Sequence, residues 1–115
     1  MNILIICNCS TGLEIFRGML IRELVKKGDL VKVIVPKSSD NKELEAEKRI
    51  KKMHCDIMHV PLDRRGINPI RDFKLLWMFF KFIKRTQPDL VITYTIKPNI
   101  YGGFVSKLLK IPYVV

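Results

Sequence analysis

From Tyr94 to Gly103 the chain reads YTIKPNIYGG, directly after the apolar run LVIT and directly before a helical pattern. Lys97 offers a point charge, Asn99 and Tyr101 offer hydrogen-bonding groups, and Pro98 stiffens the turn that presents them. Gly102 and Gly103 permit close backbone approach. At the start of a helix, where the backbone dipole also favours negative charge, such a set suits an anionic ligand. A purely structural turn does not need so many functional groups.

Two other loops carry polar groups of similar kind. After the first apolar run, NCSTGLE has Gly12 with Ser10 and Thr11, read either as an anion-friendly turn before a helix or as a plain loop. Arg17, in the first turn of that helix, is either a solvated charge or an inward-reaching phosphate ligand. PLDRRGINP brings Arg64 and Arg65 beside Gly66, which suits a bidentate grip on phosphate or carboxylate, with a solvated basic loop as the alternative.

Short apolar runs alternate with longer helical patterns and would set these loops in place. Strands are expected over 2–7, 30–35, 56–60, 90–93 and 112–115, and helices over 15–27, 42–53, 69–86 and 100–109. The first helix has Ile15, Met19, Leu20 and Leu24 on one face and Gly28 as its stop signal. The second, with EAEKRIKK, has few apolar positions and is expected on the surface; the third opens at Asn68-Pro69, a cap and a first-turn proline. Continuously apolar strands separated by helices predict an α/β fold, a Rossmann-like doubly wound parallel sheet covered on both faces. Ligands of such sheets bind beyond the carboxyl ends of the strands, which is where all three loops emerge.

Composition narrows the chemistry. The formal net charge is +10, and the excess lies in the second half, where 10 basic residues face 2 acidic ones from Arg64 onward. A polyanionic partner follows: nucleic acid, an anionic membrane surface or a phosphorylated substrate. Nicotinamide or flavin binding is disfavoured, because Gly12 stands without the rest of G-x-G-x-x-G and the second strand ends Val35-Pro36-Lys37 rather than near an acidic residue. No cofactor is expected. Cys7-Asn8-Cys9 lacks the second ligand pair of a structural zinc site, so no metal is expected either, and the two cysteines read as small apolar residues at a strand end. With Cys55 they make an odd number, and MNILIIC resembles no signal peptide, which together indicate a reducing, cytoplasmic setting.

In the helix RDFKLLWMFFKFIKRTQ, six consecutive apolar residues, Leu75 to Phe80, exceed what one buried face requires. Arg71, Lys74, Lys81 and Arg85 fall on one stripe. Two readings stand: a helix lying on an anionic bilayer, or one packed between the sheet and a further domain.

The set Leu62, Arg64, Gly66, Asn68, Pro69, followed by the helix and by PDLVITYTIKPNIYG, resembles the N-terminal domain of bacterial family-4 glycosyltransferases. It is similar to those acting on undecaprenyl-diphosphate-linked bacillosamine and to capsule-synthesis relatives. The resemblance covers essentially the whole chain. It implies a GT-B enzyme of two Rossmann-like domains, of which residues 1–115 are the acceptor-side one, truncated and inactive by itself. It further implies retaining, metal-free transfer from a nucleotide sugar, held by the other domain, to a polyprenyl-diphosphate-linked glycan on the inner face of the cell membrane. On this reading Gly12 and Arg17 face the cleft, and Arg64, Lys97, Asn99 and Tyr101 line the acceptor side. Many relatives carry a histidine after the fourth strand; none stands there here, His54 and His59 read as structural, and no catalytic residue is assigned. The rival expectation is a basic module that binds nucleic acid or a membrane surface without catalysis. Against nucleic acid, the basic residues accompany a long apolar helix rather than exposed stacking aromatics.

Overall fold

The computed structural model describes residues 1–7, 10–37, 39–60, 69–94 and 103–114, less the side chains of Thr11, Phe16, Arg17, Pro69, Arg71 and Asp72. Five strands, β1 (Asn2–Ile6), β2 (Leu30–Pro36), β3 (Asp56–Val60), β4 (Leu90–Thr93) and β5 (Tyr113–Val114), alternate with helices. These are α1 (Ser10–Lys27), α2 (Asn41–Lys52), α3 (Pro69–Thr86) and α4, described over 103–108.

All strand pairs are parallel, in the order β3-β2-β1-β4-β5. The register sets Ile3 beside Val31 and Leu90, and Ile5 beside Val33 and Ile92. Because side chains alternate across a strand, β1 feeds two cores. Ile3, Ile5 and Cys7 join Val33, Leu13 and Ile21 of α1 and Ile50 of α2 on one face. Leu4 and Ile6 join Ile34, Val91, Leu75, Phe79 and Ile83 of α3 and Val105 of α4 on the other. With both faces covered, every β1 position from Ile3 to Ile6 is apolar and buried. Each such Ile or Leu contributes about 2 kcal/mol of burial free energy.

Helix ends follow local chemistry. α1 stops at Gly28, at φ 104°, where the amides of Gly28 and Asp29 bond the carbonyls of Val25 and Leu24 in a Schellman motif. α2 starts at Asp40, whose carboxylate accepts from the Lys42 amide at 2.8 Å. At the start of β1, the Asn2 side chain donates to the Thr86 carbonyl at 2.7 Å and so caps the end of α3.

Two expectations change. α1 begins at Ser10, five positions before the expected start, and buries Leu13, Gly18 and Ile21, so Ile15 and Met19 are 72% and 79% exposed. α2 is not merely a surface helix: it buries Ala46 and Ile50 together with two carboxylates, Glu43 and Glu47.

Candidate functional site

The strand order reverses at β1, which pairs with β2 on one side and β4 on the other. The helix after β1 packs on one face and the helix after β4 on the opposite face, the arrangement in which sheets of this class bind ligands between the carboxyl ends of the two strands. The carboxyl ends of β1 and β4 are tied to their neighbours by the Cys7 amide donating to the Ile34 carbonyl at 3.1 Å and the Tyr94 amide donating to the Ile6 carbonyl at 2.9 Å. Thr93 is fully buried, with its hydroxyl 3.5 Å from the Val114 carbonyl, and half-buried Tyr94 packs against the core under α1. Cys7 is buried at the strand end, where the sequence placed it as a small apolar residue.

Ser10, Thr11 and Gly12 form the first turn of α1. The α1 N-terminus has no acidic residue of its own in that turn, and the Ser10 amide donates instead to the Glu43 carboxylate at 2.7 Å. The positive end of the α1 dipole thus faces a negative charge supplied by α2. The Ser10 hydroxyl is fully buried beside it and has no hydrogen-bond partner among the described residues. One turn along α2, the Glu47 carboxylate lies 3.0 Å from Nε2 of His59 on β3. His59 is therefore held by a packed carboxylate, in agreement with a structural role. His54 is exposed, in the left-handed conformation at φ 66°, just past the end of α2.

Of the residues singled out from sequence, Gly12 lies half-buried in the first α1 turn at this edge. Arg17 is in the α1 backbone, and its side chain lies outside the described residues, as do Arg64, Lys97, Asn99 and Tyr101 entirely. The strands that precede them in sequence, β3 and β4, end at the same edge of the parallel sheet. Sequence reasoning missed Glu43 and Glu47. Their spacing of one helical turn, beside Ala46 and Ile50, was the available signal, because it places both on the face that α2 turns inward. Among the described residues no group of His, Cys, Asp or Glu is arranged to hold a metal ion.

The outer surface of α3 and α4 adjoins this edge. Phe73 and Trp77 are 72% and 59% exposed, and with Phe80, Phe104 and Leu108 they line an apolar groove of about 200 Å³. Trp77 stacks on Phe80 with centroids 6.1 Å apart, and Nζ of Lys84 sits 5.8 Å from the Phe80 centroid. Lys74, Lys81 and Arg85 are exposed on the same helix. No helix among the described residues is long and apolar enough to cross a membrane.

A parallel five-stranded sheet with helices on both faces defines a Rossmann-like α/β domain. Residues 10–115 match Glycosyltransferase Family 4, and the chain belongs to that family. No curated protein sequence matches it. Among solved structures, MurG of Acinetobacter baumannii superposes over 97% of this chain and 32% of its own, with a TM-score of 0.72 at 18% identity. A glycosyltransferase from Rickettsia africae ESF-5 superposes over 97% and 28%, with a TM-score of 0.73 at 16% identity. A deacetylase of teicoplanin biosynthesis shares the fold too, over 98% of this chain and 65% of its own, with a TM-score of 0.76 at 12% identity. The chain thus spans about a third of the two glycosyltransferase structures.

Proposed function

We propose that this chain is the acceptor-side domain of a glycosyltransferase that moves a sugar from a nucleotide sugar, of the uridine diphosphate type, to a polyprenyl-diphosphate-linked glycan at the cytoplasmic face of a membrane. Family membership across residues 10–115 is the observation that carries the reading. In the transfer, an acceptor hydroxyl oxygen bonds to the anomeric carbon, the bond from that carbon to the nucleotide diphosphate breaks, and the hydroxyl proton leaves with the diphosphate. This chain's part is to hold the acceptor. Lys97 and Arg64 neutralise its diphosphate, Asn99 and Tyr101 bond its polar groups, and Gly12 and Arg17 border the cleft. The nucleotide sugar is held by a second domain, and configuration at the anomeric carbon is retained.

The α3 and α4 surface supports the membrane part. Phe73, near the start of α3, and Phe104 of α4 are exposed, with Lys74 and Lys81 exposed on α3. Protein–protein interfaces are depleted of lysine at their cores, whereas aromatic groups interleaved with lysines suit lipid headgroups. A lipid-linked acceptor would meet the crevice from that side.

The test is transfer by the complete protein, with labelled nucleotide sugars and a polyprenyl-diphosphate-linked glycan. Label is expected in the lipid fraction only when donor and acceptor are both present. No transfer from any nucleotide sugar overturns the activity, and robust turnover by the 115-residue chain alone overturns the two-domain assignment.

A further inference from the structure

A second groove lies on the opposite side of the sheet from α3, along the seam between α1 and α2. It encloses about 460 Å³, within the range of small-ligand sites, and is lined by Glu14, Arg22 and Lys26 of α1, Arg49 and Lys52 of α2, and His54, over a floor of Val25 and Met53. It runs from Glu14 and Arg49 toward the carboxyl ends of both helices, away from the crevice between β1 and β4.

The charges in this groove do not balance. Four cations, Arg22, Lys26, Arg49 and Lys52, stand against the one carboxylate of Glu14. Glu14 is engaged by the Arg49 guanidinium. Among the described residues Arg22, Lys26 and Lys52 then have no acidic partner.

Basic residues in the last turn of a helix are favoured by its dipole, which accounts for Lys26 and Lys52 one at a time. It does not account for Arg22, a full turn earlier on the same wall. Nor does it explain why the two helices direct their cations into one concave surface. Two of the last carbonyls of each helix accept hydrogen bonds, Val25 and Leu24 from Gly28 and Asp29, and Ile50 and Lys51 from Met53 and His54, and the four cations outnumber what remains of the negative helix ends. His54 adds a polar group at the groove's end in a left-handed conformation, φ 66°, where α1 ends in glycine.

We propose that the α1/α2 groove binds a small phosphorylated ligand carrying at least two negative charges, with its less polar part against Val25 and Met53. The shape favours a compact diphosphate or phosphate ester over an extended polyanion, because the cations line one pocket and do not form a stripe along the surface. The site is separate from the acceptor edge, and nothing in the proposal depends on glycosyl transfer.

Inorganic pyrophosphate is the probe, titrated calorimetrically into the 115-residue chain at about 0.15 M salt, where weak surface attraction is screened. Saturable binding is expected. The double variant Arg22→Gln/Lys52→Gln should weaken it about tenfold or more, while keeping its melting temperature because both side chains are exposed. Lys107→Gln, at an exposed position of α4 on the other side of the sheet, should leave binding unchanged. Vesicles of phosphatidylglycerol added in competition separate the sources: displacement of pyrophosphate supports a lipid headgroup as the ligand, and persistence supports a soluble phosphate ester. The proposal is overturned if pyrophosphate does not bind saturably. It is equally overturned if the double variant binds pyrophosphate as tightly as the unchanged chain.

Discussion

The Glu43 carboxylate of α2 accepts a 2.7 Å hydrogen bond from the backbone amide of Ser10, 33 residues earlier, at the N-terminus of α1. Two consecutive helices are thereby tied at the ligand edge of the sheet. The first turn of α1 thus already faces a negative charge, and on the proposed reading the positive charge for an acceptor diphosphate comes from side chains such as Arg64 and Lys97.

Glu43→Ala removes the acceptor and leaves a buried amide unpaired, at a cost of about 2 kcal/mol, the upper end of what helix caps contribute. In a domain of this size that lowers Tm by roughly 5–10 °C. Glu43→Gln retains an acceptor and should recover at least half of the loss. Thermal denaturation of the three proteins checks this, and an unchanged Tm in the alanine variant would show that the bond contributes nothing net.

Lys97→Ala in the complete enzyme should lose roughly 1.5 to 3 kcal/mol of transition-state binding, about ten- to more than hundred-fold in kcat/KM. Its Tm should stay within a few degrees, since a lysine on a loop contributes little to folding. A large fall in Tm with activity per folded molecule preserved would instead make Lys97 a structural residue.

Vesicles containing anionic lipid should bind the protein, and added salt should weaken that binding. Replacing Lys74, Lys81 and Arg85 with glutamine should reduce it by roughly 1 kcal/mol per charge. Co-sedimentation is the measurement, and binding to nucleic acid in place of vesicles would favour the rival basic-module reading. Unchanged sedimentation of the triple variant would return α3 to a helix packed against protein.

Burial, assisted by the neighbouring Asp56 carboxylate, pushes the Cys55 thiol up to about 11 from 9.0. The neutral thiol is therefore favoured in the folded state. Between pH 9 and 11 the unfolded chain releases this proton first, so it binds fewer protons than the native state and stability falls as pH rises. Below pH 9 the contribution is fully present. Cys55→Ala should flatten the alkaline slope of unfolding free energy by about 2 kcal/mol over that window. The comparison of slopes, rather than of absolute stability, separates titration from the small cavity the substitution leaves.

Much of the architecture is written in local pattern. α3 runs over Pro69–Thr86 and β4 over Leu90–Thr93, as expected from a first-turn proline, an apolar run and the QPD break. Gly28 ends α1, because only a residue at ease with positive φ makes that turn cheaply. Parallel pairing was legible in the unbroken apolar strands, which need cover on both faces. These features are decided within a few residues, by backbone conformation and apolar periodicity, so the sequence by itself determined them.

Contacts between elements distant in sequence were decided only by the tertiary structure. The exposure of Ile15 and Met19 depends on which side of α1 meets the sheet, and both sides of that helix carry apolar residues. Glu43 and Glu47 read as solvated charges in a polar helix, yet are 8% and 5% exposed because α2 lays them against the α1 N-terminus and His59. Arg22, Lys26, Arg49 and Lys52 share a groove only because α1 and α2 pack side by side. The candidate acceptor residues rest on the sequence motif YTIKPNIYG, of which the structure describes only Tyr94. Charge pairing and burial across elements were not, because they are set by three-dimensional distance, which local residue preferences do not encode.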